Sequence, residues 1–522
     1  MEANKLEHLT RLGEDMRREA PWAAPALATL ERDRFVVTRI NKHKRFAWFV
    51  WAAPPAEVQE GFGLAPELLL VFVNQAVLAI DLHAAAAEVF RSELRLDGNL
   101  MVVSDRGHGP LRERLARIGG HGQRVPWSAA ADGTWPPLKD VLKRELATFD
   151  AYEERDPVRG RQLIGRDQEV ADLRTRVARG DAVGLFGLRK MGKTSVARAV
   201  TDVFDPASAM TGDGRAEQGA CPNVAIVLDA GVLIERTVHG LAEELLRTLV
   251  RRMRAANESW ERPRGEGMSA WKSAVEYLLD DGRHVCVVID EYDLLFEGES
   301  GGGVIPNLNQ FFRLMRGWSQ MHQGRASLVL VGRDATFLSS PEVDGVTNAL
   351  LMWCTPMWLG PLGKHKATEL LRKLGRRVGL DVGEETGRLA FEWTGGHPLL
   401  QRQFGSELRA QVRGSNQTWK APTDGVAQAA LEPFRGRPAV LEVLKETVAL
   451  LRKRYPHAHT LLEALAHARE APSASAAAGV MDGGAPRVLM DFGVVNAHLE
   501  ISRALQWYLV SLSPAAPARR AG

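Results

Sequence analysis

Cysteine is scarce in this chain. The 522 residues include three cysteines, Cys221, Cys286 and Cys354, which lie far apart in the sequence. Disulfide frameworks and structural zinc modules need closely spaced cysteines or clusters of cysteine and histidine, and the sequence has neither. We therefore exclude both classes and expect the reducing environment of the cytoplasm.

The sequence also has little net charge and lacks a long apolar run. The 67 Lys and Arg residues nearly balance the 64 Asp and Glu residues, which leaves a formal charge of +3. Such a small charge favours neither nucleic acid nor an acidic membrane as a general partner. The most apolar stretch, residues 68–80, is shorter than the roughly 20 residues of a spanning helix, and the N-terminus has no signal-peptide pattern. We expect no membrane-embedded segment.

What the chain contains is a globular composition, with 45% hydrophobic and 25% charged residues, and a length that predicts about three or four domains. Residues 1–150 begin with a charged helical stretch and then alternate apolar runs with helical patterns, which predicts a small α/β domain. We expect a turn-rich segment over 127–137 and a boundary near 153–160. The strands are expected at 35–40, 45–51, 68–73 and 100–103, and the helices at 75–93, 111–118 and 138–149.

From residue 163 onward, apolar β-type runs alternate strictly with helical stretches, which predicts a parallel sheet. Two insertions rich in glycine and small polar residues, 205–219 and 297–303, are expected to be surface loops. The four strands are expected at 182–186, 224–228, 284–290 and 327–331. After residue 361 the chain is expected to be helical over 364–378, 384–394, 399–412 and again after 435, followed by a hairpin at 493–501 and a helix at 502–510.

One glycine-rich motif predicts a phosphate site. Residues 187–194 read GLRKMGKT, which fits the pattern GxxxxGK[ST] between a strand and a helix. The glycines let backbone N–H groups wrap a phosphate, Lys193 reaches the β and γ phosphates, and the Thr194 hydroxyl binds Mg²⁺. We expect nucleotide contacts from Gly187, Arg189, Lys190, Met191, Gly192, Lys193, Thr194 and Ser195.

Acidic residues follow the apolar strand about 100 residues further on. Asp290 comes at the carboxyl end of this strand, where it would hold the Mg²⁺ and its water shell, and Glu291 is placed to orient or activate the attacking water. Arg333 follows the next predicted strand. If that strand neighbours the strand of Asp290, Arg333 would sense the γ-phosphate or stabilise charge in the transition state, and the alternative is a solvated loop arginine.

Taken together, these residues resemble the STAND class of AAA+-related P-loop ATPases, close to the archaeal-type ATPase and origin-recognition branch. The likeness covers about residues 163–508 and includes two further motifs, LIGR at 163–166 and GGHP at 395–398. The resemblance implies that Ile164, Gly165 and Arg166 hold the adenine and that Pro398 packs beside the base or ribose.

The resemblance also implies a fold class. We expect an α/β protein, a P-loop NTPase parallel sheet with a helical lid and a winged helix, preceded by the small N-terminal α/β domain. The expected bounds are 1–150 for the N-terminal domain, 160–355 for the ATPase core, 356–435 for the lid, 436–512 for the winged helix and 513–522 for a disordered tail.

The function that this resemblance implies is an ATP-dependent molecular switch. It would bind ATP or ADP with Mg²⁺, hydrolyse ATP slowly, and pass its nucleotide state to a homo-oligomer or to a protein partner of the N-terminal domain, in signalling or defence. The alternative is a DNA-binding ATPase of the origin-recognition or transposition-helper type, in which the basic run 452–454 contacts phosphates. The near-neutral charge disfavours DNA. A scaffold without turnover is disfavoured by the intact Lys193, Thr194, Asp290 and Glu291.

Overall fold

The computed structural model describes two compact units. One comprises residues 1–154, 370–387 and 404–431, and the other comprises residues 155–369, 388–403 and 432–522. Within these bounds, the residues that the structure describes are 2–43, 47–62, 64–73, 96–104, 124–146, 150–153, 157–158, 163–202, 223–255, 260–297, 304–333, 335–343, 345–414, 421–468 and 484–512.

The N-terminal residues build a mixed five-stranded sheet in the order β1-β2-β3-β4-β5. The first three strands pair antiparallel, whereas β3-β4 and β4-β5 are parallel. This sheet confirms the predicted α/β character. Its strands are β1 (Val36–His43), β2 (Ala47–Ala53), β3 (Glu67–Val73), β4 (Leu96–Ser104) and β5 (Arg124–Ser128), and its helices are α1 (Glu2–Glu19), α2 (Ala24–Arg32), α3 (Ala56–Phe62) and α4 (Leu138–Leu146).

Strand β5 corrects the start of the predicted turn-rich segment 127–137, because Trp127 and Ser128 lie in the strand and the irregular residues begin at 129. Trp127 is fully buried, its indole N–H donates to the Pro136 carbonyl over 3.0 Å, and its ring packs edge-on against Trp135 at 5.2 Å. Burial of this large ring and pairing with β4 outweigh the local turn signals that follow it. The helices predicted at 75–93 and 111–118 lie outside the described residues.

The second unit contains a parallel sheet in the order β12-β6-β9-β8-β7, which confirms the predicted α/β P-loop fold class. A two-stranded hairpin, β10-β11, precedes β12 in the chain. The strands are β6 (Ala182–Phe186), β7 (Val224–Asp229), β8 (Val285–Asp290), β9 (Ala326–Val331), β10 (Glu342–Val343), β11 (Val346–Thr347) and β12 (Cys354–Trp358).

The sequence did not predict β12. This edge strand has one buried residue and four that are exposed or half-buried, and it contains Pro356, so it lacks both the continuous apolar run of a central strand and one backbone donor. The four predicted strands β6 to β9 are almost entirely buried, as expected for a parallel sheet covered by helices on both faces. The insertion at 205–219 lies outside the described residues.

Helices of this sheet surround a core that includes Trp271, Tyr292 and Trp318. They are α5 (Asp167–Ala178), α6 (Lys193–Thr201), α7 (Val238–Ala255), α8 (Gly267–Asp280), α9 (Asp293–Glu297), α10 (Leu308–Met321) and α11 (Thr336–Ser339). The remaining chain is helical in α12 (Lys364–Arg377), α13 (Glu384–Thr394), α14 (Pro398–Gly414), α15 (Asp424–Ala429), α16 (Leu431–Gly436), α17 (Pro438–Arg454), α18 (Pro456–His467), α19 (Ala485–Asp491) and α20 (Arg503–Leu512).

The hairpin predicted at 493–501 is reduced to a single antiparallel bridge between Val495 and Ile501. The Asn496 side chain accepts hydrogen bonds from the backbone N–H groups of His498 and Glu500, at 2.9 and 3.0 Å. This local side-chain bonding replaces the ladder that a hairpin would need. Among the described helices, none combines the length and the apolar character that a membrane crossing requires.

Candidate functional site

The phosphate loop connects β6 to α6 in a conformation that depends on glycine. Gly187 has φ of 148° and Gly192 has φ of 94°, and a Cβ on Gly187 would lie 2.5 Å from the Leu359 carbonyl oxygen. Helix α6 begins at Lys193, and Gly192 before it provides no side-chain cap. The first N–H groups of the helix are therefore left for an anion.

Lys193 curls back over this loop. Its ammonium donates to the carbonyls of Gly187 and Leu188, each over 2.8 Å. Burial lowers the pKa of Lys193 to about 8, against the attraction of Asp293 and Asp290. A buried ammonium held by two neutral carbonyls gains strongly from a nearby phosphate charge.

Thr194 and Asp290 meet at the end of β8. The Thr194 hydroxyl donates to one Asp290 carboxylate oxygen over 2.7 Å, although the residues are 96 positions apart. Burial raises the pKa of Asp290, so a nearby cation would favour its ionised form. A hydroxyl and a carboxylate are the hard oxygen donors that suit Mg²⁺ beside phosphates, so these two residues fit the predicted metal site.

Glu291 follows Asp290 in a left-handed backbone conformation, with φ of 52°. Partial burial and the negative charges of Asp229 and Asp290 raise the pKa of Glu291, which favours proton acceptance. Asp229 ends β7 opposite Asp290 in the sheet register. The sequence analysis passed over Asp229, although an acid directly after an apolar strand was the signal that identified Asp290.

Arg333 follows β9, which lies between β6 and β8 in the sheet, so the condition that we set for Arg333, a strand next to that of Asp290, is met. The Arg333 backbone N–H donates to Asp293 over 2.8 Å, and its carbonyl accepts from Gly187 over 3.2 Å. Its guanidinium is half-exposed, 3.9 Å from Asp293, and its charge lowers the pKa of both Lys193 and Glu291. The structure thus brings Arg333 to the site, and its role stays a prediction.

Arg166 is a buried tether of the phosphate loop. One guanidinium nitrogen donates to the carbonyls of Met191 and Gly360, over 3.1 and 2.6 Å, and the other donates to Glu169 over 2.7 Å. Gly165 before it, at φ of 82°, would bring a Cβ within 3.2 Å of Leu362. The segment 164–166, which the resemblance assigns to adenine binding, therefore also holds the phosphate loop in place through the Arg166 hydrogen bonds.

His397 is a contact that the sequence analysis missed. Its Nε2–H donates to the Arg189 carbonyl over 3.1 Å, since a carbonyl can only accept. Burial lowers the pKa of His397 to about 4, so the ring is neutral. The signal was its place in the GGHP motif, immediately before Pro398, which begins α14.

The other predicted loop residues have different surroundings. Met191 is buried and Ser195 is buried in the first turn of α6, whereas Lys190 is exposed at φ of 62°. The Arg189 side chain points to α17, where it pairs with Glu442 and Glu446. No pattern in the sequence indicates this pairing.

Several solved structures resemble this chain. The Walker-type ATPase PABY2304 of Pyrococcus abyssi has a TM-score of 0.47 and 18% identity, over 69% of this chain and 99% of that one. The ORC2 protein of Aeropyrum pernix, solved as ADPNP–ADP complexes, has a TM-score of 0.39 and 14% identity, over 69% and 96%. The RuvB Holliday junction branch migration motor of Thermotoga maritima has a TM-score of 0.32 and 14% identity, over 56% and 78%. No family model and no curated protein matches the sequence.

Proposed function

We propose that this chain binds ATP with Mg²⁺ and hydrolyses it slowly, as a cytoplasmic molecular switch of the STAND and AAA+ type. The observation that carries the proposal is the 2.7 Å hydrogen bond between Thr194 and Asp290, formed beside the Lys193 ammonium at the start of α6. The phosphate loop and the end of β8, which are far apart in the sequence, meet at the N-terminus of α6, as the binding of a nucleoside triphosphate with Mg²⁺ requires.

Each residue then has a chemical task. Lys193 and the first N–H groups of α6 bind the phosphates, and Thr194 and Asp290 would hold Mg²⁺, which neutralises phosphate charge when bound. Glu291 accepts a proton from the attacking water, for which its raised pKa suits it. Arg333 stabilises charge on the terminal phosphate.

Contacts to the phosphate loop support a switch rather than a simple hydrolase. His397 at the start of α14 holds the Arg189 carbonyl, and two acids of α17 hold its side chain. Nucleotide binding at this loop would therefore be felt in both helices. We propose that this change reaches a homo-oligomer and a protein partner of the N-terminal domain, in signalling or defence.

A DNA-binding ATPase is the second candidate. The last turn of α17 carries Arg452, Lys453 and Arg454, of which the first two are exposed. A basic helix end in a winged-helix module would contact DNA phosphates and give salt-dependent binding. Replacing Arg452 and Lys453 with glutamine should then abolish DNA binding and leave the ATP affinity unchanged.

The test measures ATP hydrolysis and molecular mass together, with and without duplex DNA. Lys193→Ala should abolish ATP binding, and Glu291→Gln should keep binding while hydrolysis falls about 100-fold or more. Glu57→Gln on α3 is the matched charge control. Unchanged ATP affinity in Lys193→Ala would contradict the site. An ATP-dependent mass shift without a DNA effect favours the switch, whereas turnover stimulated by DNA favours the second candidate.

A further inference from the structure

A small charged cluster connects the phosphate loop to α17. The Arg189 guanidinium lies 3.2 Å from a Glu442 carboxylate oxygen and also pairs with Glu446, one helical turn further along. These partners are more than 250 positions away in the sequence. We refer to Arg189, Glu442 and Glu446 as the α17 latch.

The backbone of the loop at this point is held independently of the latch. His397 donates to the Arg189 carbonyl, and Gly187 donates to the Arg333 carbonyl. The Arg189 side chain can therefore change its partner by rotating about its own bonds while the loop stays in place.

The latch begins in the loop that would bind the phosphates. Arg189 directly follows Leu188, whose carbonyl accepts a hydrogen bond from the Lys193 ammonium over 2.8 Å. The terminal phosphate of a nucleotide bound by Lys193 would occupy the same neighbourhood. Arg189 therefore has two sets of anions within reach of one flexible side chain.

The two sets differ in strength. Arg189, Glu442 and Glu446 have exposed side-chain fractions of 54%, 61% and 38%, and ion pairs this exposed are weak because water screens them. A terminal phosphate offers more charge and a bidentate geometry to the guanidinium fork. Phosphate should therefore displace the carboxylates.

We propose that α17 and the terminal phosphate of ATP compete for the Arg189 side chain, so that ATP binding releases the α17 latch. This inference rests on the proposed function, because it needs the nucleotide in the Lys193 loop. ADP lacks the γ-phosphate of ATP and leaves the latch closed. The latch would thereby signal to α17 whether ATP or ADP occupies the phosphate loop.

The test compares affinities for Mg·ATP and Mg·ADP by calorimetry at low salt, in the full chain. The double variant Glu442→Gln and Glu446→Gln removes the competing charges and keeps the side-chain shapes. It should bind Mg·ATP about three- to tenfold more tightly than the parent, on the scale of two exposed ion pairs, with Mg·ADP unchanged. Glu57→Gln with Glu60→Gln on α3 is a control of equal charge change and should alter neither affinity.

Arg189→Gln completes the cycle. It should weaken Mg·ATP binding, and adding the two α17 substitutions to it should have no further effect. In the parent, Mg·ATP should speed hydrogen exchange of the α17 amides, and this response should vanish in Arg189→Gln. If the α17 double variant binds Mg·ATP no better than the α3 control while Lys193→Ala still loses binding, competition for Arg189 is refuted. If Lys193→Ala binds like the parent, the proposed function fails instead.

Discussion

Removing the Arg166 side chain tests whether the LIGR motif at 163–166 acts on nucleotide directly or through the phosphate loop. The guanidinium is almost completely buried and donates to the carbonyls of Met191 and Gly360 and to the Glu169 carboxylate. Arg166→Ala leaves the buried Met191 carbonyl and the part-buried Gly360 carbonyl without this donor, whereas Glu169 is partly exposed and can be rehydrated.

The expected loss follows from these contacts. Each buried acceptor left unpaired costs about 1 to 3 kcal/mol, so the buried Met191 carbonyl, with a smaller share from Gly360, gives about 2 kcal/mol of lost stability. The loop would also lose the hydrogen bond that holds its Met191 carbonyl, so the affinity for ATP should fall. Arg166→Lys keeps the positive charge but not the forked geometry of the guanidinium, so it should restore only part of the lost stability.

The assay is urea unfolding of Arg166→Ala, Arg166→Lys and the parent, each with and without Mg·ATP, followed by calorimetric titration. If Arg166→Ala unfolds at the same urea concentration as the parent but loses ATP affinity, Arg166 contacts nucleotide and does not tether the loop. A loss of stability in the absence of nucleotide supports the tether.

Three further predictions concern the same loop. Phosphate favours the charged form of Lys193, whose pKa is about 8 in the chain without nucleotide. The affinity for ATP should therefore be constant below about pH 8 and fall by up to about tenfold per pH unit above it, and titration calorimetry would measure this dependence. The pKa of His397 is about 4 in the folded chain and returns to its ordinary value of 6.5 on unfolding, so the unfolded chain binds the proton first as the pH falls. The free energy of unfolding should therefore fall by about 2 kcal/mol from pH 7 to pH 5. Urea unfolding would measure this loss, which should be smaller in His397→Gln. Gly187→Ala should abolish ATP binding because its Cβ meets the Leu359 carbonyl, whereas Gly363→Ala, which meets nothing within 4 Å, should bind normally.

The phosphate loop and the central strands were predictable because their signals are local. Two short patterns, each within about ten residues, indicate the local structure: the glycine-rich loop between a strand and a helix, and the apolar run that ends in Asp290. The parallel sheet then follows from strict alternation of the elements. The same reasoning placed Arg333 conditionally, and the order of strands β6, β9 and β8 met the condition.

What could not be predicted depends on contacts between distant residues. Pairing of Arg189 with Glu442 spans 253 positions and involves ordinary exposed side chains, so no pattern marks it. Trp127 lies in a strand because β5 pairs with β4, where Val103 is its partner, and its neighbours in sequence do not encode that pairing. Strand β12 forms at an edge, where Pro356 is tolerated but gives no strand signal.

The left-handed backbone at Glu291 implies a trade-off between ATP hydrolysis and thermal stability. A residue with a Cβ pays about 1 to 2 kcal/mol in this conformation, and here the residue also places a third negative charge near Asp229 and Asp290. Glycine would relieve both costs and remove the carboxylate. A library selected only for thermal stability should therefore enrich Glu291→Gly, and its survivors would hold ATP without consuming it. Selection for stability alone would thus yield stable variants that remain in the ATP-bound state.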